Sequence, residues 1–436
     1  MLNNRRKFLR LAGLTGMGVT TGGLLDALAS KNDGNSKSNS NSSNAAHTMG
    51  NNQLNDQNLS VIGLYGQWAT SLNENRLPSF SYRRDEWKNI EEWRKAAKQR
   101  LTERLAIPAI GSTPRVSVNK QYSFDGLHIE ELSWQLPFGR PTEAILLKPL
   151  NAKGKLPAIL AFHDHGGNKY FGCRKITRTS NTQHPLMKEH QQEYYSDLAW
   201  ANEIARLGYV VLVPDVFTFA SRRVLFGDVP EYMRNGRNDE DPENPANIKA
   251  YNEWAAEHEH IMAKSLFCAG TTWPGVFFAE DRKALDVLCE RADVDASRIG
   301  CGGLSGGGLR TVLMAGLDER IKCAVDVGFM STWNDFLLNK SINHTWMLYV
   351  PLLPDELDFP EILGLRAPLP TLVLNDSDDT LYTLPEMNRA EKILSEVFKK
   401  AGAQERFKCS YYPGPHKFDV KMQEEAFSWF NRWLKA

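Results

Sequence analysis

Gly303-Leu304-Ser305-Gly306-Gly307 decides the reading of this chain. The five residues fit G-x-S-x-G. Before them runs Ser297-Arg298-Ile299-Gly300-Cys301-Gly302, a short apolar and Gly-rich segment with the character of a buried strand. After them runs Gly308-Leu309-Arg310-Thr311-Val312-Leu313-Met314-Ala315-Gly316-Leu317, which reads as a helix. Strand, sharp turn and helix together make a nucleophile elbow. A serine on such a turn is held in a strained backbone conformation, so small neighbours are needed two residues to either side. Gly303 and Gly307 meet that need. The helix start also directs backbone N–H groups at the serine.

Outward from the elbow, apolar runs alternate with helical patterns. Pro157–His163, Tyr209–Asp215, Ala324–Gly328, Pro370–Asn375 and Phe407–Tyr412 read as strands, and a helix closes the chain from Lys421 to Leu434. Near-continuous apolar strands of this kind belong to a parallel sheet covered on both faces. Residues 115–149 alternate instead, with a hairpin turn at Asp125-Gly126, and read as an antiparallel entry to the sheet. Trp87, Ile90, Trp93, Ala96, Leu101 and Leu105 place a helix over 84–106. The polar excursion 216–275, centred on Asn238–Pro245, reads either as a lid or substrate-binding insertion or as a plain solvated loop.

A serine hydroxyl is a poor nucleophile near neutral pH. It needs a base, and the base needs an orienting carboxylate. On a sheet of this kind the partners follow in the order Ser, acid, His. Asp379 follows the strand Pro370–Asn375 and is the favoured acid; Asp376 and Asp378 compete for the role. His416, in Tyr412-Pro413-Gly414-Pro415-His416-Lys417-Phe418, is the one histidine downstream of that acid. An oxyanion hole needs two N–H groups. Gly306 supplies the first, and the backbone of His165 or Gly166 the second, from the loop Phe162-His163-Asp164-His165-Gly166-Gly167. His163, Asp164 and His165 are also possible metal ligands. A zinc site needs three or four converging ligands, and the one further His-bearing segment considered, Glu257-His258-Glu259-His260, lies in the polar excursion. The expectation is therefore no metal and no cofactor, with the His163 side chain packed under its loop.

The run Asp293–Gly300 into Gly303–Gly307, the His-x-His-Gly-Gly loop and the segment Asp281-Arg282-Lys283-Ala284-Leu285-Asp286 resemble the dienelactone hydrolase and acetyl xylan esterase branch of the α/β-hydrolases. The resemblance covers roughly residues 110–436. It implies a mostly parallel central sheet with helices on both faces, a Ser305–His416–Asp379 triad, and hydrolysis through an acyl-enzyme. Two features depart from the family pattern and line the expected site. Asp164 stands where a glycine is usual, and Phe217–Arg223 replaces a more Gly-rich segment. A dienelactone hydrolase proper uses a cysteine nucleophile, so Ser305 points instead to a carboxylesterase acting on a small-molecule, oligosaccharide or polysaccharide ester. Removal of acetyl groups from a carbohydrate is the favoured reaction. Trp273, Trp333 and Trp346 are candidates for sugar-stacking walls. Two other classes are a serine peptidase on the same fold, which usually carries an N-terminal propeller that 60–110 is too short to form, and an inactive binding protein.

The N-terminus reads as an address. Asn4-Arg5-Arg6-Lys7-Phe8-Leu9-Arg10 resembles a twin-arginine export signal, and Ala27-Leu28-Ala29 offers a small-x-small cleavage site. Residues 11–25 are too short and polar to span a bilayer, and no lipobox cysteine follows, so no stable membrane anchor is expected. The organisation expected is a signal over 1–29, an Asn/Ser-rich linker over 30–59, a helical extension over 60–110 and a catalytic domain over 111–436. Its partners are then the twin-arginine machinery and an ester, in the periplasm or outside the cell. The 436 residues carry 52 basic and 52 acidic side chains, which excludes the strongly basic footprint of a nucleic-acid binder. Six scattered cysteines form no CxxC pair and select no disulfide.

Overall fold

A computed structural model describes residues 60–73 and 76–435. The signal and linker expectations fall on residues outside these. Nine strands form one sheet in the order β1-β2-β3-β5-β4-β6-β7-β8-β9. They are β1 (Val116–Phe124), β2 (Leu127–Trp134), β3 (Thr142–Pro149), β4 (Leu156–Phe162), β5 (Val210–Pro214), β6 (Val294–Leu304), β7 (Ile321–Val327), β8 (Thr371–Asp376) and β9 (Phe407–Tyr412). From β5 across to β9 every pairing is parallel, while β1, β2 and β3 enter antiparallel. The entry hairpin turns at Asp125 and Gly126, both at positive φ (48° and 75°), the conformation a two-residue hairpin loop requires.

The main helices are α1 (Tyr65–Ser71), α2 (Ile90–Leu105), α3 (Pro185–Tyr195), α4 (Trp200–Arg206), α5 (Pro245–Cys268), α6 (Trp273–Cys289), α7 (Gly306–Leu317), α8 (Phe359–Gly364), α9 (Leu384–Lys400) and α10 (Val420–Leu434). They cover both faces of the sheet. On one face, side chains of α2, α6, α7 and α9 join Ala158, Leu160 and Phe162 of β4 in one core. On the other, α4 and α10 pack over Ile159 and Ala161 of the same strand. Alternate residues of one strand thus feed two cores, which is why β4 and β5 read as unbroken apolar runs.

Two expectations on helices shift in detail. The first long helix starts at Ile90, where the Asn89 side chain accepts from the Glu91 and Glu92 N–H groups, so Trp87 precedes it. Its buried stripe is Trp93, Ala97, Leu101 and Leu105, at strict i, i+4 spacing, with Ala97 and not Ala96 facing the core. The elbow helix begins at Gly306, directly after the serine.

The excursion 216–275 is built around α5, 24 residues long. Ile248, Tyr251, Trp254 and Ala255 of α5 meet Tyr170, Phe171, Met187 and Phe226 in a small third core. No helix among the described residues is long and apolar enough to cross a membrane. All six cysteines are free thiols.

Candidate active site

Four connections leave the sheet at the carboxyl ends of parallel strands, where ligands bind in open α/β sheets. They follow β4, β6, β8 and β9, and they carry His165, Ser305, Asp379 and His416 respectively.

Ser305 has φ 58° and ψ −117°, a conformation that L side chains rarely adopt. Its N–H donates to the Val327 carbonyl at 2.8 Å, which holds the turn against the end of β7. The small neighbours have a visible steric reason. A Cβ on Gly303 would sit 2.3 Å from the Phe162 carbonyl oxygen and 3.0 Å from the Gly307 Cα. A Cβ on Gly307 would sit 2.5 Å from the same oxygen. The elbow passes too close to the end of β4 for any side chain at either position.

His416 Nδ1 lies 2.6 Å from Asp379 Oδ2, and the other carboxylate oxygen of Asp379 accepts from the Leu381 N–H at 2.8 Å. The competing acids are occupied elsewhere. Asp376 accepts from the Lys417 N–H at 2.9 Å and Asp378 from the Gly414 N–H at 2.7 Å, so both shape the loop that carries His416. Burial pushes Asp376 up to about 7. For His416, burial pulls the imidazole down, but the hydrogen bond and charge of Asp379, with Asp376 and Asp164 behind, outweigh it and leave the pKa raised. The second ring nitrogen, Nε2, is buried without a protein partner. Gly328 joins serine and histidine. It follows Val327, the acceptor of the Ser305 N–H, and a Cβ on it would lie 2.9 Å from His416 Cε1.

On the other flank, a Cβ on Gly306 would lie 2.9 Å from the backbone nitrogen of His165. The His165 N–H thus abuts the first turn of α7, whose N–H groups have no intrahelical acceptor. Gly166, at φ 50°, turns its α-carbon instead toward the Asp164 carboxylate and the His190 ring.

Asp164 does not line the site. Its side chain is 1% exposed and points beneath the loop, accepting from His190 Nε2 at 3.0 Å and Tyr195 Oη at 2.5 Å. Burial works against its charge, but His190 and Lys175 hold its pKa well below the usual carboxylate range. The expectation that this substitution shapes the site directly is corrected: the carboxylate braces the loop from behind. His163 is buried, with Nδ1 3.0 Å from the Asp164 carbonyl oxygen, and burial lowers its pKa well below the ordinary value. Phe219, from the other departing segment, packs edge-on against His163 and His165.

Glu259 is a site residue that sequence reasoning missed. His165 Nδ1 accepts from the Gly167 N–H at 3.1 Å, so Nε2 carries the proton and donates to Glu259 at 2.9 Å. Glu259 also accepts from Thr345 and from the Trp346 N–H and pairs with Lys169 at 2.6 Å. Burial would raise its pKa, but His165 and Lys169 depress it strongly. The signal lay in helical phase. On α5, Tyr251, Ala255, Glu259 and Ala263 share one buried stripe, so the glutamate faces inward although its neighbours in sequence are polar. Lys169, Trp254, Glu259 and Trp273 close around a cavity of about 10 Å³ beside this pair, and Trp273, 2% exposed, packs on Phe217 and Phe277 in the core, so it forms no sugar-stacking wall. Of the other two tryptophans, Trp333 donates to the Leu357 carbonyl and packs on Phe336 and Phe359 in the core, while Trp346 is 40% exposed.

Asp376, Asp379 and His416 are the one group among the described residues whose ligand atoms converge as a metal would need, all within 4.8 Å. His416 Nδ1 and Asp379 Oδ2 of that group are already engaged with each other. His163, Asp164 and His165 turn to three different partners and do not converge.

No known family model matches the chain. A 309-residue stretch, 70% of the chain and 88% of its relative, is 26% identical to a Bacillus subtilis (strain 168) protein described as "Putative hydrolase YtaP". Among solved structures, one described as "a putative acetyl xylan esterase" from Bacteroides fragilis aligns with TM-score 0.59 at 16% identity, over 79% of this chain and 81% of that one. A glucuronoyl esterase from Solibacter usitatus aligns with TM-score 0.56 at 13% identity, over 82% and 97%. At these identities the likeness is one of fold, and the fold is that of the α/β-hydrolases.

Proposed function

We propose that the protein is a serine ester hydrolase acting on carbohydrate esters, with acetyl as the favoured acyl group. One observation carries the reading: the 2.6 Å contact between His416 Nδ1 and Asp379, in a loop cluster that also holds Ser305 at the strained elbow. In the proposed reaction the Ser305 hydroxyl oxygen attacks the ester carbonyl while its proton passes to His416 Nε2. Asp379 keeps the imidazole in the tautomer that leaves Nε2 free to accept, and stabilises the imidazolium that forms. The negative charge developing on the carbonyl oxygen falls to the N–H groups of Gly306 and His165. The tetrahedral intermediate collapses, the C–O bond to the alcohol breaks, and His416 returns its proton to that alcohol. Water then attacks the acyl carbon and gives a proton to His416; the bond to Ser305 Oγ breaks, His416 returns the proton to that oxygen, and the acid leaves.

One feature supports a carbohydrate ester: the solved neighbours include enzymes named for acetyl xylan and glucuronoyl esters. The reading also includes export by the twin-arginine route, resting on Arg5-Arg6-Lys7-Phe8-Leu9. The test is acetate release from p-nitrophenyl acetate and from acetylated xylan by the full chain beside its Ser305→Ala variant. Hydrolysis that persists in the variant removes Ser305 as nucleophile.

A further inference from the structure

The peptide between Asp164 and His165 is gripped along one edge by a buried ammonium. Lys175 is 0% exposed, and its Nζ donates to the Asp164 carbonyl at 2.7 Å and to the His165 carbonyl at 2.8 Å. This peptide bond is trans. In a trans peptide the C=O and the following N–H point in opposite directions within one plane. The His165 N–H therefore leaves the plane's far edge, away from Lys175. Gly306 lies against that far edge, with its Cβ position 2.9 Å from the His165 nitrogen. One peptide plane separates the ammonium from the elbow.

The closest partners of Lys175 are these carbonyls, not a carboxylate. Its ion pair with Asp164 Oδ2 is longer, at 3.6 Å, and Asp164 Oδ1 is taken by His190 and Tyr195. A buried charge costs free energy unless it is satisfied, and here the satisfaction falls on the backbone of the loop. Hydrogen bonds from a charged donor are about twice as strong as neutral ones, and in a low-dielectric interior they polarise the groups they touch.

We propose that Lys175 is a positioning residue for the oxyanion hole, acting through the Asp164–His165 peptide. Its ammonium sets the plane of that peptide and draws electrons toward the Asp164 oxygen, so that the His165 N–H is a stronger donor to charge developing on the substrate carbonyl. The inference rests on the proposed ester-hydrolase reading and adds a residue to its machinery.

The test uses the full chain, p-nitrophenyl acetate, and kcat and KM measured from about pH 6 to about pH 9.5, with the rate of the Ser305→Ala variant subtracted. Lys175→Met is expected to lower kcat by about tenfold to a hundredfold, a share of what losing a whole oxyanion donor costs, with KM changed by less than about twofold. Burial brings the Lys175 ammonium down to about 8. The ammonium is charged below that pH and neutral above it, so wild-type kcat declines through that region and the Met variant shows no such decline. The charged and titratable groups facing Lys175 are Asp164, Asp215, Arg310, His163 and His165.

A folded Lys175→Met protein with wild-type kcat, or one that keeps the alkaline decline, overturns the proposal. Should that variant fail to fold, Lys175→Gln, a polar side chain without the charge, decides: a folded Gln variant with wild-type kcat overturns the proposal, and a loss of about tenfold or more in kcat with KM changed by less than about twofold supports it. Full activity in Ser305→Ala overturns both this inference and the reading beneath it, whereas loss of activity there with an indifferent Lys175→Met overturns this one alone.

Discussion

His416 Nδ1 and Asp379 Oδ2 are joined at 2.6 Å across loops that leave neighbouring parallel strands, β8 and β9. In the proposed reaction that contact sets the acid limb of the pH profile. A base must be neutral to accept a proton, and Asp379 raises the pKa at which His416 becomes neutral. Hydrolysis should rise with pH through a value above that of a free imidazole. In Asp379→Asn the raising influence is gone, so the limb moves to lower pH. The asparagine also favours the wrong imidazole tautomer, and kcat should fall by about 10⁴-fold. Profiles of kcat/KM for the two proteins check both statements, and an unmoved limb contradicts the first.

Ser305 stores strain. Its φ of 58° suits glycine, whereas alanine meets the same Cβ conflict as serine. Ser305→Ala and Ser305→Gly should both lack hydrolysis, yet Ser305→Gly should be the more stable of the two by about 1 kcal/mol. Urea titration of the two inactive proteins reads this difference directly.

Gly307 has no room for a methyl group. Its Cβ would meet the Phe162 carbonyl oxygen at 2.5 Å, and a backbone oxygen cannot rotate aside. Gly307→Ala should cost at least about 1–3 kcal/mol and displace the elbow. Gly402→Ala is a useful contrast. Its φ of 67° is strained for alanine, but nothing lies within 4 Å of the added carbon, so it should cost only about 1 kcal/mol. A lower Tm for Gly402→Ala than for Gly307→Ala reverses the expected order.

Arg310 on α7 and Asp281 on α6 form a buried pair at 2.6 and 2.9 Å, with the guanidinium 4.4 Å from the Phe162 ring centroid. Burial pushes Asp281 up even against Arg310, so desolvation outweighs much of the attraction. Arg310→Met alone should cost about 3–5 kcal/mol, because it strands a carboxylate. Adding Asp281→Leu to Arg310→Met should recover much of that loss. A double-mutant cycle by denaturant unfolding tests this, and additive costs would contradict it.

Glu259 orients His165, and through it the loop that flanks the elbow. Glu259→Gln keeps the shape and one hydrogen bond to the imidazole but removes the charge facing Lys169, and should lower kcat by about tenfold. Glu259→Ala should lower it further. Equal activity in wild type and Glu259→Ala shows that the His165 backbone needs no such support.

Much of this molecule is local. G-x-S-x-G between an apolar run and a helical run is a statement about neighbours in sequence, and so are the strand ends that carry Asp379 and His416. Period and turn chemistry therefore determined the layers of the fold, the elbow and its small flanking residues. The choice among Asp376, Asp378 and Asp379 was not local. Asp376 ends β8 and the other two follow it within three residues, and only the approach of β9 decides which meets the imidazole and which two hold the backbone of 414–417. Glu259 and Lys175 were hidden for the same reason. One is a charge in a polar stretch, the other lies in an irregular connection, and neither has a functional neighbour in sequence. Tertiary packing brings both to one loop after β4, Lys175 to its backbone and Glu259 to the His165 imidazole, and buries them there, where loss of water makes a charge count for far more than it does on a surface.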